Sequence, residues 1–257
     1  MKLKAANISL VIVAFVCILP IIVLIVLSLA RNWIYPNVLP KDFTAEAWIY
    51  IFQPGNNIVS SIFTSFIIAF TVALLSTTGG FFTSKLIAYH KFKNKLLFLA
   101  YLPFILSPVI FAVCLKYFFI KIGLSGTTAG VILAQLIIAF PYSTILLVSF
   151  WNNRIEQFQL LVQTLGGTNQ YAFSRVIYPM AIPMLLVCFF QCFLISWFEY
   201  GLTLVIGFGK VQTLTLRVFQ FLTEANIFYA ALSCCLLIIP PTLLLWINKK
   251  FIFHKIA

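Results

Sequence analysis

Six apolar runs of about 20 residues or more, at 8–29, 58–78, 96–115, 129–150, 180–206 and 228–247, constrain this chain more than any other feature. A helix needs about 20 mostly apolar residues to cross the hydrocarbon of a bilayer. The apolar residues go all round these runs rather than alternating, which argues against a transmembrane barrel. At 63% hydrophobic and 9% charged residues, the chain lies far from a soluble globule, whose usual shares are about half and about a quarter. The expected fold class is all-α: a polytopic membrane protein with six transmembrane helices.

Orientation follows from lysine and arginine, which accumulate on the cytoplasmic side of spans. One set of ends carries Lys2, Lys4, Lys85, Lys91, Lys93, Lys95, Arg154, Arg175, Lys249, Lys250 and Lys255. The other carries Arg31, Lys41, Lys116, Lys121, Lys210 and Arg217, partly offset by Asp42, Glu46 and Glu224. Both termini are therefore expected in the cytoplasm. The formal charge of +12 reads as this inward bias plus contact with anionic lipid heads, and no nucleic acid partner is expected. Lys2 and Lys4 before an apolar run, with Ser28-Leu29-Ala30 after it, have the outline of a secretory signal. That run is too long for a signal core of about 7 to 15 residues, so it is read as an uncleaved first helix kinked at Pro20.

Residues 151–183, WNNRIEQFQLLVQTLGGTNQYAFSRVIYPMAIP, form a long polar interruption on the expected cytoplasmic side. Ile155, Phe158, Leu161, Val162 and Leu165 recur at spacings of three and four, the pattern of one apolar helix face. Gly166 and Gly167 stop that helix, and Thr168 or Asn169 caps a second one through Gln170 to Ile177. The second helix is expected to end before Pro179. The apolar ridge reads as a docking surface.

Leu165-Gly166, nine further residues, Val176-Ile177-Tyr178-Pro179 and then Pro183 resemble the cytoplasmic "EAA" loop of permease subunits in bacterial type I ABC importers. In that family Glu-Ala-Ala is followed after three residues by Gly and, about nine later, by a hydrophobic pair and Pro. Here Gly166 and Pro179 occupy the Gly and Pro positions, and Leu160, Leu161 and Val162 stand in place of Glu-Ala-Ala. The resemblance covers roughly residues 57–247. It implies a core of five helices at 57–257, preceded by a first helix and periplasmic segment at 1–56, with the coupling loop at 151–179. It further implies that a helix at 155–166 seats on a cytoplasmic ATPase, with Phe158, Leu160, Leu161, Val162, Gln163, Leu165, Gly166 and Pro179 in or beside the contact. The implied complex holds two ATPases, a second permease, homologous or identical, and an extracytoplasmic solute-binding protein in the bacterial inner membrane. ATP and magnesium belong to the ATPase, and no cofactor is expected in this chain.

Within the spans, Gln191, Ser196, Glu199 and Tyr200 interrupt a run of Leu, Phe, Cys and Ile. A carboxylate deep in a membrane costs about 2.5 to 3.5 kcal/mol on insertion scales, so it faces a wet cavity or a partner. Spacings of three and eight put Gln191, Ser196 and Glu199 on one helix face. Two readings stand: this face lines the translocation path, or Glu199 snorkels outward or pairs with Lys116 or Lys210. Ser60, Ser61, Ser65, Ala69, Ala73, Ser76 and Gly80 make a small-residue side on the second span, suited to close helix packing. Pro103, Pro108 and Pro141 predict breaks in spans three and four, either lining a moving cavity or kinking for packing.

The outer segment 30–56 holds Trp33, Tyr35, Pro36, Pro40, Trp48 and Tyr50. It reads as an interfacial belt, or as a surface helix at 44–52 capped by Thr44 that meets a soluble partner. Segment 207–226 reads as a turn and an amphipathic helix. The six cysteines, Cys188 and Cys192 included, read as small packing residues. His90 and His254 lie opposite Asp42, so no hydrolytic site forms, and Gly207-Phe208-Gly209-Lys210 lacks the spacing of an ATP-phosphate loop. The chain is not expected to be an enzyme.

Three functions suit a chain of this kind: an importer permease, an ion-coupled carrier or channel, and a membrane-embedded assembly factor. Glu199 as the only intramembrane carboxylate, with no evident repeat, disfavours the carrier. The span pattern resembles permeases for polyamines, ferric iron, thiamine and aminoalkylphosphonates, and Glu199 leans toward an amine-bearing solute.

Overall fold

The computed structural model describes residues 2–31, 33, 40, 42–53 and 56–253, with side chains described at 13, 15–31, 33, 40, 42–53 and 56–246. Tyr35, Pro36, Lys41 and His254 lie outside the described residues, and the side chains of Lys2, Lys4, Lys249 and Lys250 are likewise not described.

The described chain is helical: α1 (Lys2–Ser28), α2 (Glu46–Tyr50), α3 (Ile58–Ala88), α4 (Lys93–Tyr101), α5 (Pro108–Lys121), α6 (Thr128–Val148), α7 (Asn153–Thr164), α8 (Asn169–Ala172), α9 (Tyr178–Trp197), α10 (Gly201–Gly207), α11 (Leu214–Thr223) and α12 (Ile227–Phe253). Among the described residues, four helices are individually long and apolar enough to cross a membrane: Ile58–Ala88, Thr128–Val148, Asn169–Trp197 and Ile227–Trp246. A fifth crossing is available to the pair Lys93–Phe104 and Pro108–Lys121. The first helix supplies the shorter apolar stretch Phe15–Ser28. Such apolar helices define an all-α polytopic membrane protein.

Span three, expected at 96–115 with breaks at Pro103 and Pro108, is broken, whereas α6 runs without a break through Pro141. The two halves of span three meet at a bend of 92°, with a short 3₁₀ turn, Leu102–Phe104, ahead of Pro108. Pro103 and Pro108 lack an amide donor and each pushes the preceding residue out of helical geometry, so two in six residues break the rod rather than kink it. Span five also departs from expectation. The helix expected through 206 stops at Trp197 and restarts at Gly201, leaving Phe198–Tyr200 as a break.

The chain divides into two compact units, Met1–Phe63 with Thr213–Thr242, and Thr64–Gln212 with Leu243–Ala257. In the first, the chain after α1 folds back through the Ala30–Phe43 bridge, with Thr44 N–H donating to the Leu29 carbonyl at 2.7 Å. The Trp48 indole donates to Ser28 Oγ at 3.3 Å, and Tyr50 packs on Tyr229 at 4.6 Å between centroids. The short α2 begins after Ala45 rather than Thr44, although Thr44 Oγ1 still accepts from Glu46 N–H at 3.2 Å. The expected amphipathic helix at the end of 207–226 is α11, capped by Thr213.

In the second unit α6 is the axis. Ala134 and Ile138 pack with Ala112 and Phe119 of α5 and Leu202 and Ile206 of α10. Val131 and Ala139 pack with Ile68 and Val72 of α3 and with Val211. The small-residue side of α3 is buried at Ser65, Ala69, Ala73, Ser76 and Gly80, as a close-packed face requires, whereas Ser60 is exposed. The loop at one end of α6 is closed by Gly126 N–H donating to the Ile206 carbonyl at 2.8 Å. At the other end stands Trp151, about 30 Å away by the rise of a helix of this length.

Candidate coupling loop and polar cluster

The loop is fastened to α3 by aromatic residues. Trp151 is buried, its indole N–H donates to Ser84 Oγ at 2.9 Å, and its ring lies 5.1 Å from Phe81. Lys85 Nζ sits 5.4 Å from the Trp151 ring and 5.6 Å from Phe173, a cation over two ring faces. From this anchor Asn152 caps α7, its Oδ1 accepting from Arg154 N–H at 3.0 Å and Ile155 N–H at 3.2 Å.

The α7 helix ends as its glycines dictate. Gly166 takes φ +82, and Gly167 N–H returns to the Val162 carbonyl at 2.9 Å. Of the two expected caps, Thr168 serves the next helix, accepting from Tyr171 N–H at 3.2 Å. Asn169 instead ties the two helices together, its Oδ1 accepting from the side-chain amides of Gln159 at 3.1 Å and of Gln163.

The single apolar face expected on α7 is split. Ile155 is buried, Phe158 and Val162 are half-buried, and Arg154 lies over the Phe158 ring. Leu160 and Leu161 are each 54% exposed and Leu165 79%. With 3.6 residues per turn, Ile155, Phe158 and Val162 follow one stripe, and Leu161 with Leu165 follow the neighbouring one. Gln163 and Gly166 are exposed beside that outer edge.

The expected stop before Pro179 does not occur. Residues Phe173–Ile177 form a π turn that runs straight into α9, with Pro179 in its first turn. A proline ring clashes with the carbonyl four residues back, here that of Arg175, which lies inside the wider π turn.

The four intramembrane residues separate into two groups. Gln191 Oε1 accepts from the Tyr142 hydroxyl of α6. Ser196 Oγ donates to Gln135 Oε1, whose amide in turn donates to Thr203 Oγ1 at 3.0 Å. Glu199 lies beyond the end of α9 and so does not share a helix face with Gln191 and Ser196. It faces a small cavity together with Gln135 and Ser196, and its Oε1 accepts Leu202 N–H at 2.8 Å. A carboxylate at the start of α10 satisfies an amide that a helix N-terminus leaves open. Tyr200 is the half-buried residue just ahead of α10. The expected lysine partners are engaged elsewhere: Lys116 Nζ sits 4.9 Å from the Phe208 ring, and the Lys210 stem packs at Gly126.

Sequence reasoning missed Gln135, Tyr142 and Thr203, which complete the cluster. Gln135 is the one long polar side chain in VILAQLIIAF, and that isolation was the available signal. Cys188 and Cys192 are buried, Cys188 within 3.9 Å of Thr77 Oγ1 and Cys192 within 3.8 Å of the Ala139 carbonyl, in keeping with a packing role.

A polytopic helical protein with a loop of this build has the fold of an ABC-transporter membrane subunit. The structure aligns with a chain of a bacterial ABC transporter involved in the import of the acidic polysaccharide alginate at a TM-score of 0.68 and 14% identity, covering 96% of this chain and 95% of that one. The curated relatives are permeases as well. The molybdenum transport system permease protein ModB of Mycobacterium tuberculosis is 27% identical over 165 residues, 58% of this chain and 62% of ModB. The Escherichia coli inner membrane ABC transporter permease protein YcjP is 22% identical over 178 residues, 65% of this chain and 61% of YcjP. The Haemophilus influenzae spermidine/putrescine transport system permease protein PotC is 24% identical over 186 residues, 70% of each chain. The matched region thus spans about three fifths of the length of ModB and YcjP. No protein-family model matches the sequence. In sequence relatives and in fold alike, the chain resembles the permeases of bacterial ABC transporters, and it is a multi-pass inner-membrane protein.

Proposed function

We propose that this chain is a transmembrane permease subunit of an ATP-driven ABC importer. It forms half of the translocation path for a small solute, and α7 couples it to a cytoplasmic ATPase. The observation that carries this reading is the edge Leu160, Leu161 and Leu165, exposed on a helix that Trp151, Ser84 and Asn152 hold in place. Leucines left in water on a firmly held helix end suit a partner's groove. The permease relatives and the ABC-transporter fold support the same reading.

In this reading ATP and magnesium are bound and hydrolysed by two separate ATPase subunits. A second permease, identical or homologous, completes the path, and a solute-binding protein delivers the solute from outside. Movement of the ATPase reaches the spans through the π turn into α9 and through Trp151 into α3. An amine-bearing solute of the polyamine kind is favoured by Glu199, a carboxylate set beside Gln135 and Ser196 within the spans, and by the likeness to PotC.

The test is co-purification of the full chain with the ATPase, second permease and binding protein encoded beside it, with and without Leu161→Asp. The wild type is expected to retain the ATPase, and the variant to lose it while remaining monodisperse. Retention by both forms would place the contact elsewhere, and absence of ATPase from both would remove the importer reading.

A further inference from the structure

A groove of about 510 Å³ opens beside the coupling helix, lined by Ala88 and Tyr89 at the end of α3, Lys93, Leu97 and Tyr101 of α4, Ile145 and Val148 of α6 with Ser149 after it, and Trp151, Asn152, Asn153 and Glu156. Lys93, Leu97 and Tyr101 recur every four residues, so one stripe of α4 makes a wall of the groove. The lining is mixed. Lys93, Asn153 and Glu156 supply charge and amide, and Leu97, Ile145 and Val148 supply hydrocarbon.

Lys93 and Glu156 carry opposite charges, and among the described residues no ion pair engages either of them. Neighbouring lysines are differently placed: Lys85 covers Trp151 and Lys95 covers Phe92 at 5.4 Å. Trp151, Tyr89 and Tyr101 are the residue types that settle at the headgroup level of a bilayer. Burial, and after it the charge of Glu156, push the Tyr89 phenol above its ordinary range, so it remains a hydrogen-bond donor.

We propose that this groove binds a phospholipid with a zwitterionic, primary-amine headgroup, its phosphate at Lys93, its ammonium at Glu156 and one acyl chain along Leu97 and Tyr101. The two charges decide the headgroup. An anionic lipid would satisfy Lys93 and be repelled by Glu156, and a quaternary ammonium cannot donate a hydrogen bond to the carboxylate. Because Glu156 belongs to α7, the bound lipid bridges the broken span to the coupling helix. The site does not depend on the importer reading, since it needs only the membrane and these side chains.

The test is native mass spectrometry of the delipidated full chain, titrated with dioleoyl-phosphatidylethanolamine, -phosphatidylglycerol and -phosphatidylcholine. Phosphatidylethanolamine is expected to bind tightest. Glu156→Gln should weaken it by about three-fold, the size of an exposed charge pair, while strengthening phosphatidylglycerol, which then no longer meets a like charge. Lys93→Ala should weaken both, and Lys93→Arg should restore both. Equal binding of all three lipids, or a phosphatidylglycerol preference indifferent to Glu156→Gln, would overturn the proposal. So would a photoreactive side chain at position 101 that captures a protein subunit in place of lipid.

Discussion

The Trp151 indole N–H donates to the Ser84 hydroxyl at 2.9 Å, fastening the start of the α7 segment to the end of α3. Ser84 in turn donates to the Phe81 carbonyl at 2.8 Å, and the tilted Phe81 ring packs against Trp151, so the joint is hydrogen-bonded and packed at once. Trp151→Ala removes a buried indole and should cost about 3 to 5 kcal/mol. Trp151→Phe keeps most of the packing and loses one hydrogen bond, about 1 kcal/mol. Thermal unfolding in detergent should rank the wild type above Trp151→Phe and Trp151→Ala lowest. If Phe and Ala fell equally, the hydrogen bond and not the packing would hold the joint.

Gly80 of α3 lies tight against Ser143 of α6. A Cβ placed there would run into Ser143 Oγ and meet Ser143 Cβ at 2.8 Å. Ser143 cannot swing away freely, because its hydroxyl is held by the Ser76 carbonyl at 2.6 Å and the Phe140 carbonyl at 2.7 Å. Alanine in a helix interior gains roughly 0.5 to 1 kcal/mol over glycine, and overpacking costs about 1 to 3 kcal/mol. The clash therefore wins, and Gly80→Ala should lower the unfolding temperature. A rise would mean that the helices separate at little cost.

Much of this fold was legible in the sequence, because apolar length is a local property. The spans of α3, α6, α9 and α12 follow directly from it, and the end of α7 follows from Gly166 and Gly167. The breaks were less legible. Pro103 and Pro108 announced an interruption, but the bend of 92° depends on what α5 packs against. The gap at Phe198–Tyr200 has no proline to announce it. Just after it α5 and α10 come close, where a Cβ on Gly201 would meet Val109 at 2.6 Å. The continuation through Pro179 was misjudged because the π turn that accommodates the ring is set by the loop's own packing. Likewise the α7 ridge was visible by spacing, but which stripe faces inward is decided by Trp151 and α8.

Gln135 joins Ser196 of α9 to Thr203 of α10 across the break in span five. Gln135→Leu keeps the volume and leaves two buried hydroxyls without this partner, at about 1 to 3 kcal/mol each where nothing replaces it. The expected outcome is a lower unfolding temperature that Ser196→Ala combined with Gln135→Leu partly restores, since the double variant removes an orphaned group. Strict additivity of the two substitutions would show that the residues do not act as one network.

Glu199 has two separable duties. Its Oε1 accepts the Leu202 amide, and its charge faces the cavity shared with Gln135 and Ser196. Glu199→Gln keeps an oxygen acceptor and removes the charge, whereas Glu199→Ala removes both. For an importer of a cationic solute, Gln should retain stability and lose uptake, and Ala should lose both. Radiolabelled uptake beside thermal unfolding separates the cases, and full uptake by Glu199→Gln would take the charge out of the path.

Gly166 turns the chain at φ +82, and no atom lies within 4 Å of a Cβ built there. Space is therefore not the constraint, and backbone conformation is. Asparagine tolerates the left-handed region at modest cost, whereas a β-branched residue is a strong outlier there. Gly166→Asn should leave the complex assembled and active. Gly166→Val should reshape the turn that places Leu165 and releases α8, costing about 1 to 2 kcal/mol or more in the loop. The informative readout is ATPase retention and solute-stimulated ATP hydrolysis, because the spans themselves remain folded in both variants. Equal coupling in Asn and Val would show that the leucine edge docks independently of the turn behind it.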